Sequence, residues 1–485
     1  MEKYLVKGKY LPTIGIECHV QLKTQTKLFA GVSNDARDAS PNTLISPICL
    51  GMPGALPVLN EKAITLAVKA GLALRADIAK TSHFDRKHYF YPDLPKGYQI
   101  TQYERPVVGK GVVEAPLSNG EYVTVNITRA HLEEDAGKSS HPGSADYSLV
   151  DLNRAGTPLL EIVSEPDIHS PEEARAYAHE LYLLMKYAEV SDVDLYHGNM
   201  RFDVNVSVSD NPKKLGTRSE TKNLNSFKSV EKAVEYEINR QIELLEKGQE
   251  IVQETRGWDD AKQKTISQRS KEDAHDYRYF PDPDLPPVTI SQEFIDETAK
   301  NMPTMPSALR QEFAGLGLTE SQVDTIIEDP ALADILRQTI ESHDEKTAKT
   351  IGNWLTGELQ RQIVNGDLLA SDIALVIPQM VKLASMLDDK QLSSTAAKTV
   401  LNEVVTTQQD PEVVAKNMQL LQVSDESELV MIIEQVLSEN QKAADDVRSG
   451  EMKAIGFLVG QVMKQSQGRA NPAKVQELIK KQLGI

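Results

Sequence analysis

The sequence is poor in cysteine, in aromatic residues and in positive charge. Its only cysteines, Cys18 and Cys49, exclude a disulfide framework and indicate a reducing compartment. A formal net charge of -18 excludes uniform, nonspecific binding to nucleic acid, so any contact with RNA must be local. No secretory signal pattern is evident near the first residues, and we expect a cytoplasmic location.

No membrane-spanning segment is expected either. The longest uncharged run, residues 39–60, contains four prolines and two glycines and therefore predicts a loop. A composition of 40% hydrophobic and 26% charged residues is typical of a globular protein in water. A chain of 485 residues is long enough for about two to four domains.

Two segments alternate strictly between apolar and polar residues, which predicts half-buried strands. In residues 14–22 the alternation places Glu17 and His19 side by side on the polar face. This spacing is suited to sharing one cation, but taken alone it is more typical of a solvent-facing pair. In residues 201–208 it places Asp203 on the polar face. Each strand thus offers oxygen or nitrogen ligands from one side.

Three consecutive carboxylates follow a third alternating segment, residues 122–128. They lie in the stretch His131-Leu-Glu-Glu-Asp-Ala-Gly-Lys138. Neighbouring carboxylates repel one another, so either water solvates them or a hard cation such as Mg²⁺ lies among them. Because successive strand residues point to opposite faces, Glu133 and Glu134 cannot both bind one ion unless the backbone bulges there.

Aromatic and cationic residues are concentrated in residues 84–96, and a similar mixture recurs in residues 276–287. Arg86 and Lys87 could meet phosphate or carboxylate groups, or they could form the rim of a buried aromatic cluster. In a further segment Arg218, Glu220 and Lys222 alternate, which fits either a salt-bridge ladder or substrate contacts.

Strand patterns disappear after Ser291, and short amphipathic helices follow. Residues 424–451 hold eight acidic and two basic residues, whereas residues 453–485 hold six basic residues and one acidic residue. This reversal indicates a local surface that faces phosphates, although a solvated helix face has the same composition.

Several long motifs, in this order, resemble those of the B subunits of tRNA-dependent amidotransferases. The motifs are Ile14-Gly-Ile-Glu-Cys-His-Val-Gln-Leu22, Phe84-Asp-Arg-Lys-His-Tyr-Phe-Tyr-Pro-Asp93, His131-Leu-Glu-Glu-Asp-Ala-Gly-Lys138, Asp151-Leu-Asn-Arg-Ala-Gly-Thr-Pro158, Lys222-Asn-Leu-Asn-Ser-Phe227 and Asp276-Tyr-Arg-Tyr-Phe-Pro-Asp282. The resemblance extends over essentially the whole chain.

The resemblance implies an α+β fold. Residues 1–292 would form a cradle-like catalytic domain with a mixed or antiparallel sheet, residues 293–405 a helical domain, and residues 406–485 a helical tail that binds tRNA. It implies ATP-dependent phosphorylation of the side-chain carboxylate of misacylated Glu-tRNA(Gln), Asp-tRNA(Asn) or both. Ammonia from a partner would then displace the phosphate. ATP and Mg²⁺ are the implied cofactors.

The resemblance also assigns roles to particular residues. Metal binding is implied for Glu17, His19, Glu133, Glu134 and Asp203. Glu134, Lys87 and Arg86 would be catalytic, and the two cations would assist in binding phosphate or carboxylate groups. In the tail, Lys464, Arg469 and Lys474 would lie near RNA.

The sequence departs from the family at a zinc site. Many relatives carry four zinc-binding cysteines, but here Ala30, Val32 and Ser46 occupy three of those places and Cys49 alone remains. One thiolate cannot make a tetrahedral structural site, so no structural zinc is expected.

The chain also lacks a recognisable ammonia source, because it has no Gly-Gly-Ser-Ser amidase signature, no glutaminase nucleophile motif and no terminal cysteine. The resemblance therefore implies a separate amidase subunit and a small linking subunit as partners, with no membrane. Two other functions fit the sequence alone: a noncatalytic tRNA-binding adaptor, and a freestanding ligase that joins ammonia to a small acid.

Overall fold

A computed structural model describes residues 2–143, 146–270, 277–422, 426–466 and 470–484. The chain divides into two compact units, Met1–Pro306 and Ser307–Ile485. All of the strands in the described ranges belong to the first unit, and the second is built from helices. The predicted α+β class, with a mixed sheet followed by helices, is confirmed. The boundaries after residues 292 and 405 stay predictions.

Within the described residues, the first unit contains fifteen strands and four α-helices. The strands are β1 Leu11–Gln21, β2 Thr81–Ser82, β3 Asp85–His88, β4 Tyr98–Thr101, β5 Gly111–Pro116, β6 Tyr122–Glu134, β7 Lys138–Ser140, β8 Leu149–Asp151, β9 Pro158–Ser164, β10 Met200–Ser209, β11 Ser219–Leu224, β12 Glu254–Asp259, β13 Lys264–Ser270, β14 Phe280–Pro281 and β15 Val288–Thr289. The helices are α1 Glu61–Ala73, α2 Pro171–Tyr187, α3 Phe227–Glu246 and α4 Gln292–Lys300.

Eight strands form the main sheet, in the order β13-β12-β11-β10-β1-β9-β6-β5. Neighbours are antiparallel except for the pair β11 and β12. A second sheet, in the order β14-β3-β4, carries the aromatic and cationic segment. The sequence predicted β1 and β10 closely, because their alternation is strict from end to end.

One face of the main sheet is apolar and lies in the hydrophobic core. Ile14, Ile16 and Cys18 of β1 are buried there together with Phe202 and Val204 of β10. Helices α1, α2 and α3 pack against strands of this sheet and contribute to the same core. The opposite face therefore holds the polar residues of the same strands.

Side-chain caps begin two of these helices. The Asn60 side chain accepts a hydrogen bond from the Lys62 backbone N–H at the start of α1, and Ser170 accepts one from Glu173 before Pro171 begins α2. Such caps satisfy backbone donors that the first turn leaves free. They fix where the helices that back the sheet begin.

Gly216, between β10 and β11, gives a stability prediction. A Cβ atom at this position would lie 2.1 Å from the Val208 carbonyl oxygen, so Gly216→Ala forces the backbone to move. We expect it to lower the free energy of unfolding by about 2 kcal/mol or more. Gly31→Ala is the control, because no atom lies within 4 Å of its Cβ. Urea unfolding of both variants checks this, and equal stabilities would contradict it.

The second unit contains twelve helices in the described ranges. They are α5 Pro306–Ala314, α6 Glu320–Ile327, α7 Pro330–Ser342, α8 Glu345–Thr356, α9 Gln360–Asn365, α10 Ala370–Asp388, α11 Ser394–Thr407, α12 Pro411–Asn417, α13 Glu426–Glu439, α14 Gln441–Arg448, α15 Ala454–Gln465 and α16 Pro472–Leu483. By length and composition α10 could cross a membrane. It packs against α8, α11 and α12, and it buries Ile373, Val376 and Met380.

Candidate active site

The polar face of the main sheet brings a row of ionisable side chains together across four strands. His19 of β1 is directly opposite Arg201 of β10 on one side and Glu161 of β9 on the other. Glu161 is in turn opposite His131 of β6. Directly opposite residues share a face with their Cβ atoms about 5 Å apart. Strand register alone therefore places these four side chains in contact range.

A bulge in β6 sets which acidic residue joins this row. Before the irregularity between Ile127 and Arg129, the odd-numbered residues of β6 are in the core; after it, Ala130 and Leu132 are. The extra residue reverses the alternation. Glu133 consequently shares the polar face with His131, and Glu134 lies on the opposite side.

The resulting group of His19, His131, Glu133 and Glu161 is termed the carboxylate–histidine cluster. The Glu161 Oε2 atom lies 3.2 Å from His131 Nε2 and 3.8 Å from His19 Nε2. Glu133 lies 3.7 Å from His19 Nε2 and 3.8 Å from His131 Nε2. Ligand atoms of His19, Glu133 and Glu161 all lie within 4.8 Å of one another.

Mutual electrostatics determine the protonation of this cluster. Burial lowers the pKa of His131, but Glu161 and Glu133 outweigh burial and raise that pKa to about 9. Burial raises the pKa of Glu161, and His131, His19 and Lys87 reverse this so that the net pKa lies well below its usual value. The Glu161 carboxylate thus keeps its negative charge, and its main partner is the His131 ring.

The donors of the cluster fit a divalent metal ion. Adjacent ligands of an octahedral Mg²⁺ ion are separated by about 3 Å. His19 Nε2 lies 3.7 Å from Glu133 and 3.8 Å from Glu161, so these ligand atoms would move slightly closer together on binding the ion. Glu133 and Glu161 supply oxygens, and His19 supplies a ring nitrogen. The buried Nδ1 atoms of His19 and His131 have no hydrogen-bond partner in the described part of the chain. Small shifts of either ring are therefore not opposed by a second hydrogen bond.

Glu134 has a different environment. Its carboxylate accepts hydrogen bonds from the Lys96 ammonium and, at 3.1 Å, from the Ile100 backbone N–H. The side chains of Lys96 and Glu134 are 7% and 5% exposed, so this ion pair is buried. The structure therefore places Glu134 where it joins β6 to β4, and its metal-binding role stays a prediction.

Glu17 and Asp203 are directly opposite one another, next to the cluster on the same sheet. Asp203 accepts hydrogen bonds from Lys222 Nζ at 3.0 Å and from the Asn223 backbone N–H at 2.8 Å. Burial, Glu161 and Glu220 raise the pKa of Glu17, which accepts a hydrogen bond from Asn205 at 3.1 Å. Lys222 also lies 3.0 Å from Glu220. These contacts are those of a salt-bridge ladder, and neither predicted ligand joins the three-ligand group around His19.

Lys87 and Arg86 point to opposite sides of β3. Arg86 is 2.8 Å from both Asp282 and Asp284 and lies over the Tyr98 ring at 4.3 Å. Lys87 has no ion pair or hydrogen bond with any described residue, and its ammonium lies 5.0 Å from the centre of the Tyr277 ring. Burial lowers the pKa of Lys87, but Glu133, Tyr279 and Glu161 outweigh it and the pKa is raised.

A cavity of about 600 Å³ opens over this face, and Lys87, Glu133, Asp135 and Arg201 line it. Asp135 is held by Arg154 at 3.2 Å and by Arg201 at 3.3 Å. Burial raises the pKa of Asp135, and the two guanidinium groups lower it below its usual value. The ion pairs of Asp135 with Arg154 and Arg201 therefore hold one wall of the cavity in place.

Sequence reasoning assigned no role to Glu161, His131, Arg201 or Arg154. A signal for Glu161 is present, because it is a single charge between the buried residues Leu160 and Ile162 of β9. A lone acid in an otherwise buried strand requires a partner. The identity of that partner depends on strand order, which the sequence does not display.

The predicted RNA contacts belong to the second unit. Lys464 is exposed in the last turn of α15, and Lys474 is half-buried in the first turn of α16. Arg469 lies outside the described residues. The tail helices bury a small core of their own, which includes Ile433, Leu458 and Ile479.

Comparison with known proteins identifies the family. Residues 12–296 match the model of the GatB/GatE catalytic domain, and residues 334–483 match that of the GatB domain. Similar proteins include the aspartyl/glutamyl-tRNA(Asn/Gln) amidotransferase subunits B of Carboxydothermus hydrogenoformans, 45% identical over 98% of this chain and 99% of the relative, and Caldanaerobacter subterraneus, 46% identical over the same shares. That of a Thermoanaerobacter species is 47% identical, again over 98% and 99%. The chain therefore belongs to the family of aspartyl/glutamyl-tRNA(Asn/Gln) amidotransferase B subunits.

Proposed function

We propose that this chain is the subunit of a glutamine-dependent amidotransferase that activates misacylated tRNA. It would phosphorylate the side-chain carboxylate of Glu-tRNA(Gln), Asp-tRNA(Asn) or both with ATP, and ammonia would then displace the phosphate. The observation that carries this proposal is that one cavity is lined both by Glu133 of the carboxylate–histidine cluster and by Lys87, a cation with no ion pair among the described residues. Relatives named as aspartyl/glutamyl-tRNA(Asn/Gln) amidotransferase B subunits are similar over nearly the whole chain. An adaptor without catalysis would not need such a cavity.

The chemistry requires phosphorylation because a carboxylate does not accept ammonia at a useful rate, its oxygen being a poor leaving group. Phosphoryl transfer depends on positioning and on neutralising negative charge more than on a strong base. Lys87 would attract the transferred phosphoryl group or the substrate carboxylate. Arg154 and Arg201, fixed by Asp135, would hold the cavity wall against which the substrate is positioned.

Mg²⁺ is the proposed cofactor beside ATP, and it would neutralise phosphate charge and align oxygens. His19, Glu133 and Glu161 would hold it, and Glu17 and Asp203 stay predicted ligands. We expect His19→Ala to weaken binding of Mn²⁺, a paramagnetic substitute for Mg²⁺, by about tenfold or more. Electron paramagnetic resonance of free Mn²⁺ measures this without substrate. Unchanged affinity would contradict the assignment, and exposed Asp77→Ala serves as a control.

A structural zinc is not proposed. The Lys27 ammonium, whose residue is 1% exposed, donates to the carbonyl oxygens of Leu44 at 2.7 Å and Ala155 at 2.6 Å. It lies 3.7 Å from Cys49 Sγ, and Ser46 donates to the same sulfur at 3.3 Å. A single thiol next to a cation is a poor zinc donor set. Stoichiometric, tightly held zinc in the purified protein would contradict this.

The proposed partners are an amidase subunit that supplies ammonia, a small linking subunit, and the misacylated tRNA, which the tail would contact through Lys464, Arg469 and Lys474. A cytoplasmic location is proposed with them. The purified chain alone is expected not to use glutamine, because it carries no recognisable glutaminase motif. Glutamine-dependent amidation by the chain without partners would contradict this.

The decisive experiment measures ATP turnover by the reconstituted complex with each misacylated tRNA in turn. We expect ADP formation that depends on misacylated tRNA and on a divalent ion. ATP turnover with free glutamate or aspartate in place of the tRNA would indicate a freestanding ligase instead. No turnover with either misacylated tRNA would overturn the proposal, and the comparison of the two tRNAs identifies the physiological substrate.

A further inference from the structure

Gln99 of β4 carries an unpaired carbonyl oxygen in the cavity wall. The residue is 5% exposed, it is directly opposite Lys87 in the β3–β4 pairing, and it lines the same cavity. Its Nε2 donates a hydrogen bond of 2.6 Å to the Glu134 backbone carbonyl. Its Oε1 has no hydrogen-bond partner in the described part of the chain.

The orientation of this amide is fixed by chemistry. A backbone carbonyl can only accept, so the atom of Gln99 that contacts Glu134 must be the amide nitrogen. The oxygen is therefore the free atom. Buried acceptors in folded proteins nearly always have a donor. Because the residue that carries this acceptor lines a cavity, a ligand bound there can supply the donor.

We infer that Gln99 Oε1 accepts a hydrogen bond from the ammonia molecule that attacks the activated carboxylate, and thereby positions its nitrogen. This inference rests on the proposed function and names a binding group for its second substrate. It is supported by the acceptor without a partner among the described residues, by the burial of Gln99 and by its position opposite Lys87.

The reaction at Gln99 requires neutral ammonia rather than ammonium. Ammonium has no lone pair and cannot attack, so a productive site must bind the neutral form. Lys87, a cation at neutral pH, lies beside Gln99 and repels ammonium. A neutral carbonyl acceptor binds an N–H group without drawing in a second positive charge, as a carboxylate would.

The nearby carboxylates already have partners within the protein. Glu133 and Glu161 belong to the carboxylate–histidine cluster, and Asp135 is held by Arg154 and Arg201. Gln99 Oε1, in contrast, is a buried acceptor with no partner among the described residues. An N–H donor that enters beside Lys87 meets it without displacing an existing contact.

The step balances in atoms and charge. The nitrogen lone pair of NH₃ forms a bond to the acyl carbon of the acyl phosphate. The bond from that carbon to the phosphate oxygen breaks, and the oxygen keeps the electron pair. One proton passes from nitrogen to the released phosphate, so the acyl phosphate and NH₃ give the amide and hydrogen phosphate. Gln99 orients the nucleophile and is unchanged.

The test uses the reconstituted complex with ammonium chloride as the ammonia source. Gln99→Met keeps the approximate shape and removes both the acceptor and the Nε2 donor to the Glu134 carbonyl, and we expect the KM for ammonia to rise about tenfold. The KM for ATP and for misacylated tRNA are expected to change by less than about twofold. Gln99→Glu, which draws in ammonium, is expected to lower kcat with ammonia. A rise in the KM for the tRNA instead would mean that Gln99 binds the substrate amino group, and would overturn the inference.

Gln102→Met is the matched control. Gln102 is also buried, but its Nε2 donates to Ser82 and its Oε1 accepts from the backbone N–H groups of Val107 and Leu132. Its replacement should reduce thermal stability without raising the KM for ammonia. If Gln102→Met raises that KM as much as Gln99→Met, general destabilisation explains the effect and the inference fails. If the wild-type complex shows no ATP turnover with misacylated tRNA, the proposed function fails first.

Discussion

Glu133→Gln is expected to reduce ATP-dependent activation of misacylated tRNA by about 100- to 1000-fold while leaving the free energy of unfolding nearly unchanged. The amide removes one negative charge from the carboxylate–histidine cluster. Glu133 interacts there with His19 and His131 at 3.7 and 3.8 Å, distances that contribute charge but no tight hydrogen bond. The loss should therefore appear in kcat rather than in stability.

Glu134→Gln, one residue further along β6, is expected to lower the stability of the protein more than its activity. It leaves the buried Lys96 ammonium without its counter-charge. Removing one partner of a buried ion pair lowers stability by about 3 kcal/mol or more. Activity per folded molecule should fall less than in Glu133→Gln.

ADP formation and thermal unfolding are measured for both Glu133→Gln and Glu134→Gln, and tRNA binding is measured in a separate experiment. If Glu134→Gln abolishes phosphorylation without loss of stability, Glu134 and not Glu133 acts on the phosphate. Normal phosphorylation by Glu133→Gln would exclude the cluster as the metal site.

The sequence could predict the strands of this site but not their order. Strict alternation identifies β1 and β10 and places Glu17, His19 and Asp203 on their polar faces. Both strands are neighbours in the sheet, so Glu17 and Asp203 do meet. That β9 lies on the other side of β1, and brings Glu161 to His19, depends on non-local packing that alternation does not encode.

The sequence alone also does not determine which of Glu133 and Glu134 lies on the polar face of the sheet. A uniform strand from residue 122 onwards would place Glu133, not Glu134, in register with the core residues Val123 and Val125. The bulge near Arg129 reverses the faces. Glycine or proline, which often signals a bulge, is absent from β6, so the sequence carries no local sign of it.

Lys87→Met is expected to reduce the efficiency of ATP-dependent activation by about 100-fold or more, with little change in stability. Among the described residues its ammonium pairs with no carboxylate, so its removal breaks no ion pair in the protein. It lines the cavity beside Glu133, where an incoming phosphoryl group adds negative charge. Methionine retains most of the length of the side chain and loses the charge.

Arg86→Met tests whether Arg86, the cation next to Lys87 in the sequence, has a structural role instead of a role in activation. Arg86 joins β3 to the segment after β14 through Asp282, whose side chain is fully buried, and through Asp284. Its replacement leaves the Asp282 carboxylate buried without a cation, and we expect a loss of about 3 kcal/mol in the free energy of unfolding. ATP turnover per folded molecule should fall less than in Lys87→Met.

Steady-state kinetics with varied ATP, together with urea unfolding, distinguishes the two variants. Lys87→Arg provides a further test, because it restores the charge with a different shape and should recover part of the lost activity. Recovery would show that Lys87 acts through its charge. If Arg86→Met loses activity at unchanged stability, then Arg86 contacts the substrate and its ion pairs with Asp282 and Asp284 must open during the reaction.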